Sequence, residues 1–552
     1  MTDHDLPPSG PLARLRATLA GPRGYRRIDA LIASDDAPAA IAALSPSEVY
    51  ELVHEVGFED AQELIQYVTP TQIQGCFDLD GWSKDALEVA MLKPWLAALI
   101  DVGFEKVGEV WTELDTELRA LILMRFVVKV YDCTLGEEPT DENEGVVMAT
   151  PDRFFMLELA GEPDDQRLTQ QLIEDLYRAD AHLARNTIMC ARSELESDLE
   201  EMSYRWRSGR LADQGYVDFY EALDLFRPLD ADKVSIGEGS HDRIALDENT
   251  HLPVAVAEEV LGRGFLARAL ALLDDPGEAE RIETALMVLV NKVLAAARAR
   301  PGQAEVVRRG ALYATATLSL GLETIARGDL GRARDALASI GLVRLFRVGY
   351  TVTLKLARLA QALAPRSLTA GSPVKELVAS LCSPRPLLAR AIDTPPTPGM
   401  RPFESTADLR RVGELLTGLT LRIALVESLG VDVLAMGQAP EPRPQLDDHI
   451  RTALARAVIG GELRGEALSQ AELMALRDRG MVAGVFTLPA RQAGLAAIRG
   501  RLGEAQLQAS DTVLLRLVDG WLTDLEAIVG AVTDAAIDPR FVEGVLVEVK
   551  RS

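Results

Sequence analysis

The sequence predicts a mainly α protein, with a helical superhelix or solenoid-like N-terminal part, further helical layers after it, and little β-structure. Three observations predict this. Two helix starts of one design stand close together: Ser45-Pro46-Ser47-Glu48 and Thr69-Pro70-Thr71-Gln72 each place a capping hydroxyl first, proline at the first helical position, and Glu or Gln three residues after the cap. The signature Val56-Gly57-Phe58-Glu59 returns 46 positions later as Val102-Gly103-Phe104-Glu105, a period within the ~40 to 47 residues common in helical solenoids. Beyond residue 250 the chain is dominated by Ala, Leu and Arg in long helical runs.

Taken in order, residues 1–10 read as a disordered lead, with helices near 12–19 and 25–33. From Pro46, Val49, Leu52, Val53 and Val56 share one helical face, and Ala61, Leu64, Ile65 and Val68 repeat that spacing. Gly57 and Gly103 fall just past helix ends, where positive φ costs glycine little. The 46-residue offset carries the cap Thr69 onto Asp115, itself a good cap for a helix over 118–130, so the superhelix is expected to span 11–135. Trp82 is expected to be buried between one repeat and the helix containing Trp95, with Trp82→Ala costing on the order of 3 to 5 kcal/mol. His54 is placed on the polar face, where truncation costs less than about 0.5 kcal/mol.

An acidic middle segment follows over 136–250. Residues 136–143 read as a loop, 153–159 as a short strand or a buried helical turn, 168–186 and 193–206 as helices, and 230–253 as a linker. Helical layers occupy 251–382, in runs near 255–273, 279–300, 306–327, 330–339 and 342–363. Gly321, Leu322, Ala326, Gly328, Ala333 and Ala336 resemble one tetratricopeptide hairpin. A Pro-rich linker is expected over 383–404. The C-terminal helical domain, 405–552, has helices near 405–428, 446–460, 470–479 and 510–528 and a weak strand pattern over 541–549.

Composition bounds function more tightly when the chain is divided. Residues 1–250 hold 22 Lys+Arg against 50 Asp+Glu, whereas the rest holds 36 against 34, so the net charge of −26 belongs to the N-terminal half. Such a field repels phosphate backbones and anionic lipid, which argues against nucleic-acid and membrane partners. No charge-free stretch approaches the ~20 residues of a membrane helix, and a cytoplasmic location is expected. Cys76, Cys133, Cys190 and Cys382 lie far apart and read as reduced thiols.

The common catalytic signatures are missing: there is no Gly-Lys dipeptide, no HExxH and no GxSxG, so no catalytic residue and no cofactor are assigned. Asp78-Leu79-Asp80-Gly81-Trp82 with Asp85 is a weak metal candidate, since its glycine is at the fourth position of the loop and no Glu falls at the twelfth. A denser pattern runs from Tyr204 to Leu229. Arg205, Trp206, Arg207, Arg210, Asp213 and Tyr216 mix guanidinium, aromatic and carboxylate groups, which either recognise a partner or tie one helical layer to the next.

With those residues quoted, a resemblance follows. The run over 44–82, then YRWRSGRLADQGYVDFYEAL, then GDLGRARDALASIGLVRLFRVGY, resembles an uncharacterised bacterial domain-of-unknown-function family spanning most of the chain. The resemblance implies no activity and brings no functional residues. The N-terminal third is also similar to the cytosolic superhelical domain of MgtE-type magnesium transporters. Three functions remain open. The first is a helical scaffold or protein-interaction module with a protein partner, the second an enzyme with its site around Arg205 to Tyr216, and the third a cytosolic regulator responding to divalent cations.

Overall fold

A computed structural model describes residues 22–140, 145–213, 216–217, 219–237, 262, 264–299, 304–440, 443–504, 511–530 and 543–548. The lead expected over 1–10 and most of the linker expected over 230–253 lie outside these residues. The described chain is mainly α, its strands confined to one three-stranded and three two-stranded sheets. No described helix is long and apolar enough to cross a membrane. The chain divides into two compact units, 1–348 and 349–552.

The first unit opens with α1 (Tyr25–Ile32), α2 (Ala37–Ala42), α3 (Pro46–Val56), α4 (Gln62–Tyr67), α5 (Pro70–Asp80), the hairpin β1 (Trp82–Ser83) and β2 (Ala86–Leu87), then α6 (Val89–Val102), α7 (Phe104–Glu113) and α8 (Thr116–Phe126). Both capping boxes form. The Ser45 hydroxyl accepts the Glu48 N–H while the Glu48 carboxylate accepts the Ser45 N–H, and Thr69 and Gln72 do the same. Gly57 and Gly103 stand past the ends of α3 and α6 at φ 94° and 132°. Shifted by 46 residues, the ends of α3 and α4 fall on those of α6 and α7, and α5 falls on α8 from first residue to last. Asp115 departs from the pattern. It is the N-cap residue of α8 but makes no side-chain cap, because its carboxylate is turned to Arg210.

A sheet, β3 (Val127–Asp132), β4 (Val147–Ala149) and β5 (Phe155–Leu159), follows in the antiparallel order β3-β5-β4. The ambiguous run at 153–159 is thus a strand, with Phe155, Leu157 and Leu159 alternating inward. Next come α9 (Pro163–Ala179), α10 (Ala181–Ser193) and α11 (Glu196–Asp213). The helix expected over 168–186 is divided because Asp180 leaves helical geometry and its carboxylate accepts the His182 and Leu183 N–H groups, starting a new helix. α9 packs on α7, while α10 and α11 both pack on α8.

The unit continues through α12 (Phe219–Leu223), α13 (Phe265–Leu270), α14 (Pro276–Ala296), α15 (Ala304–Ala326) and α16 (Leu330–Ser339). α15 and α16 form the expected small-residue hairpin: Gly328 turns at φ 78°, Asp329 caps α16, and Ala333 and Ala336 are fully buried. α17 (Leu342–Leu363) carries the chain past the division between the units.

The second unit contains α18 (Ser372–Leu381), the pair β6 (Leu388–Ala389) and β7 (Met400–Arg401), α19 (Thr406–Ser428), α20 (Val433–Gln438), α21 (Leu446–Val458), α22 (Gln470–Gly480), the hairpin β8 (Met481–Val482) and β9 (Val485–Phe486), α23 (Leu488–Glu504) and α24 (Asp511–Gly530). Residues 383–404, expected as a linker, are built into this unit. Leu388 and Phe403 are buried, and the Arg401 guanidinium donates two bonds to Asp393 and two to Asp408 at 2.9 to 3.0 Å. Proline signals a turn, but it does not reveal that a double carboxylate clamp holds the turn down. The strand pattern expected over 541–549 survives as a parallel bridge between Val547 and Leu468.

One arrangement occurs in both units. α22 begins with a Ser469–Glu472 capping box and runs into a hairpin, as α5 does. In the first unit the Leu87 N–H donates to Glu200 of α11 at 2.9 Å, and Arg125 donates to the same carboxylate at 3.0 Å. In the second, the Phe486 N–H donates to Glu526 of α24 at 2.7 Å, and Arg491 joins it at 2.7 Å. Each hairpin is thus tied to a later helix by one glutamate that an arginine holds in place.

Candidate functional site

The Arg/aromatic pattern lies on α11 and just beyond it, and helical geometry divides its residues between two faces. Leu199, Ser203 and Leu211 are buried toward α8 and α5. Arg207 and Arg210 follow that inner side. Arg210 Nε and Nη2 donate to the two carboxylate oxygens of Asp78 at 2.6 and 3.0 Å, and Nη1 reaches Asp115 at 2.8 Å. Asp78 is only 1% exposed. Burial raises its pKa, and the attraction of Arg210 and Arg207 offsets this only in part. Burial also works against the Arg210 charge, but its bonds to Asp78 and Asp115 outweigh that and raise its pKa. Arg207 donates through Nε to the Asp78 carbonyl at 2.7 Å, and its guanidinium lies 5.6 Å from the Trp82 ring and 5.9 Å from the Tyr204 ring. Tyr216 folds back so that its hydroxyl is 3.4 Å from Ser47 Oγ, and burial pushes the phenol up to about 12. Arg207, Arg210 and Tyr216 therefore fasten α11 and the turn after it to α3 and α5. Arg205, Trp206 and Asp213 face outward, with Trp206 50% exposed.

The three aspartates of the weak metal candidate separate in space. Asp78 belongs to Arg210, and Asp85 is exposed in the turn of the β1–β2 hairpin. Asp80 is buried and accepts bonds from Tyr50 Oη at 3.3 Å and Trp95 Nε1 at 3.0 Å, with His54 Nε2 at 3.2 Å. Among the described residues, no three His, Cys, Asp or Glu side chains gather where they could hold a metal ion.

This Asp80 network corrects the placement of His54. Its ring lies 4.4 Å from Tyr50, 5.6 Å from Phe58 and 6.1 Å from Trp95, so it is a partly buried member of an aromatic cluster rather than a polar-face residue. An effect below about 0.5 kcal/mol is therefore too small for its truncation. The signal was available, because Tyr50, His54 and Phe58 recur at four-residue spacing. Trp82 is buried as expected, 6% exposed, but its aromatic neighbour is Tyr204 of α11, with ring centroids 6.0 Å apart.

Glu51 sits on α3 among like charges. Burial, then repulsion from Glu48 and Glu55 against the pull of Arg27, raises its pKa to about 7. Its folded-state pKa exceeds the ordinary carboxyl value of ~4.3, so the folded chain binds the extra proton between the two values and stability falls as pH rises through about 4.5 to 7. Glu51→Gln is expected to stabilise the protein by about 1 to 3 kcal/mol at pH 8 and to leave it unchanged at pH 4, as read from urea unfolding at both pH values. Equal effects at the two pH values would show that the carboxyl titrates normally.

In the second unit a cleft of about 670 Å³ is lined by Gly460, Gly461, Glu462, Arg464, Glu472 and Glu548 beside Arg456. Arg456 is already bonded to Glu472 and to the carbonyls of Arg464, Glu466 and Ala467. The Arg456 bond holds Glu472 down at about 2. The guanidinium thus lines the cleft while its N–H groups are spent on Glu472 and on closing the loop over 464–467.

No curated protein and no solved structure matches the chain, and neither comparison shows the similarity of its N-terminal third to the MgtE-type cytosolic domain. The model of a family of unknown function (DUF6178) matches residues 8–548, essentially the whole of the chain described above, and the protein belongs to that family.

Proposed function

We propose that the protein is a cytoplasmic helical scaffold that engages a protein partner through the outward face of α11. The observation that carries this reading is the half-exposed Trp206, flanked by Arg207 and Arg210, which the fold itself consumes. An indole left half in water offers a large, rigid contact surface, and tryptophan is enriched among residues that dominate binding energy. Of the arginines that an enzyme site would need, Arg210 is bonded to the Asp78 and Asp115 carboxylates and Arg207 to the Asp78 carbonyl. This favours a contact surface over a reaction centre.

The test compares the full chain with its Trp206→Glu variant, purified under gentle salt from the native cell after brief cross-linking. A partner recovered with wild type is expected to be lost from the variant, while the melting curve moves by less than about 0.5 kcal/mol in stability, as for an exposed substitution. Recovery of both proteins as bare monomers, or of both with the same partner, would sink the reading.

A further inference from the structure

We infer that the outward face of α11 is a docking site for a cationic amphipathic segment of a partner protein, a helix carrying aliphatic side chains on one side and Lys or Arg beside them. The inference rests on the interaction reading above and specifies the chemistry of the partner. Three features converge on one face. Large apolar side chains are displayed together: Met202 is 36% exposed and Trp206 50%, four residues apart on α11, with Leu195 at 67% just before its first residue. Methionine is adaptable and suits surfaces that accept apolar helix anchors.

The charge around these anchors is predominantly negative. Glu194, Glu196, Asp198, Glu200 and Glu201 precede or flank Met202, with no basic residue from 193 to 204. Arg125 takes up Glu196 and Glu200, whereas Glu194, Asp198 and Glu201 are exposed. At the far end Asp213 is also exposed, and among the described residues of α11 Arg205 is the exposed base. An acidic rim around apolar anchors is complementary to a basic amphipathic helix, and it repels an acidic helix or an anionic bilayer.

Gly209 adds an independent indication. It lies inside α11, three residues after Trp206 and on the same face, and a Cβ placed there would meet nothing within 4 Å. Glycine inside a helix costs about 0.5 to 1 kcal/mol relative to alanine. Among the described residues, no neighbour requires its small size. The open notch beside the indole is where a partner backbone can approach closely.

Trp206 is its own reporter. Of the five tryptophans it alone is exposed, with Trp82, Trp95, Trp111 and Trp521 at 6, 0, 1 and 3%. Acrylamide quenching of the full chain therefore reads chiefly Trp206. The probes are three tryptophan-free peptides of about 15 residues, long enough to form a helix on a surface: Leu/Lys amphipathic, Leu/Glu amphipathic, and Ser/Lys with the same charge as the first. The Leu/Lys peptide is expected to shield the indole and shift its emission to the blue, and the other two are not. With a fluorescent label on the Leu/Lys peptide, Asp198→Lys with Glu201→Lys, and separately Gly209→Leu, are each expected to weaken binding about tenfold, or about 1.4 kcal/mol. Neither variant is expected to melt earlier than wild type.

Absence of shielding by the Leu/Lys peptide overturns the inference, as does equal shielding by the Ser/Lys or Leu/Glu peptide. So does unchanged affinity in both variants. If Trp206→Glu loses a cellular partner while the Leu/Lys peptide fails to shield, the interaction reading stands and the cationic chemistry falls. If the peptide shields as expected but Trp206→Glu keeps the partner, the proposed function falls and the face remains a cationic-helix site.

Discussion

Replacing Trp95 by alanine is expected to destabilise the first unit by about 4 to 6 kcal/mol, the largest effect of any single substitution considered. The indole is fully buried and stacks with Tyr50 at a ring distance of 6.3 Å while meeting Phe58 edge-on at 4.9 Å. Truncating a buried tryptophan typically costs 3 to 5 kcal/mol through lost transfer energy and the cavity left behind. The same change removes the Nε1–H that Asp80 accepts at 3.0 Å, leaving that carboxylate to Tyr50 and His54, and a hydrogen bond to a charged group is worth about 1.5 to 3 kcal/mol. Trp95→Phe helps to separate the two contributions, since it removes the donor but leaves a far smaller cavity than alanine. Thermal and urea unfolding of the full chain should place Trp95→Phe roughly midway. A Trp95→Ala protein that unfolds within 1 kcal/mol of wild type would show that the cluster is not a core element.

The second large effect is expected at Arg210. Arg210→Ala leaves Asp78 buried with its two-bond partner gone, and breaking one side of a buried ion pair costs about 3 to 5 kcal/mol because the surviving charge is uncompensated. Adding Asp78→Asn to the same chain should recover a substantial part of that loss, for the amide needs no counter-ion. Denaturant midpoints of the two single variants and the double variant measure the coupling. Additive losses would mean that Asp78 finds other compensation, and the reading of α11 as fastened through this pair would be wrong.

What was legible in the sequence was local. The Ser45 and Thr69 capping boxes and the positive-φ turns at Gly57 and Gly103 are set by residues within a few positions of one another, and each appears as read. Long-range partners were not legible. Asp115 reads as a cap because its local context is that of a cap, yet Arg210 claims its carboxylate. Nothing adjacent to Asp78 announces a partner 132 positions away. The six residues of the Arg/aromatic pattern looked like one constellation in sequence, but a helix turns 100° per residue, so adjacent members of that run point in different directions. The β1–β2 and β8–β9 hairpins are too short for strand periodicity to register, each strand having two residues.

The bonds from α11 back to the start of the unit bear on how the chain matures as it leaves the ribosome. Leu87 waits 113 residues for Glu200, and Asp78 waits 132 for Arg210. Until about residue 213 has emerged, Asp78 has no Arg210 to pair with and the β1–β2 hairpin has no Glu200 to hold it. The helices at the N-terminus are therefore expected to reach their final form together with α11 rather than one by one. A fragment ending near residue 135 is cut before its closing element, and expression boundaries for the N-terminal region belong after residue 213 rather than at the end of the repeat.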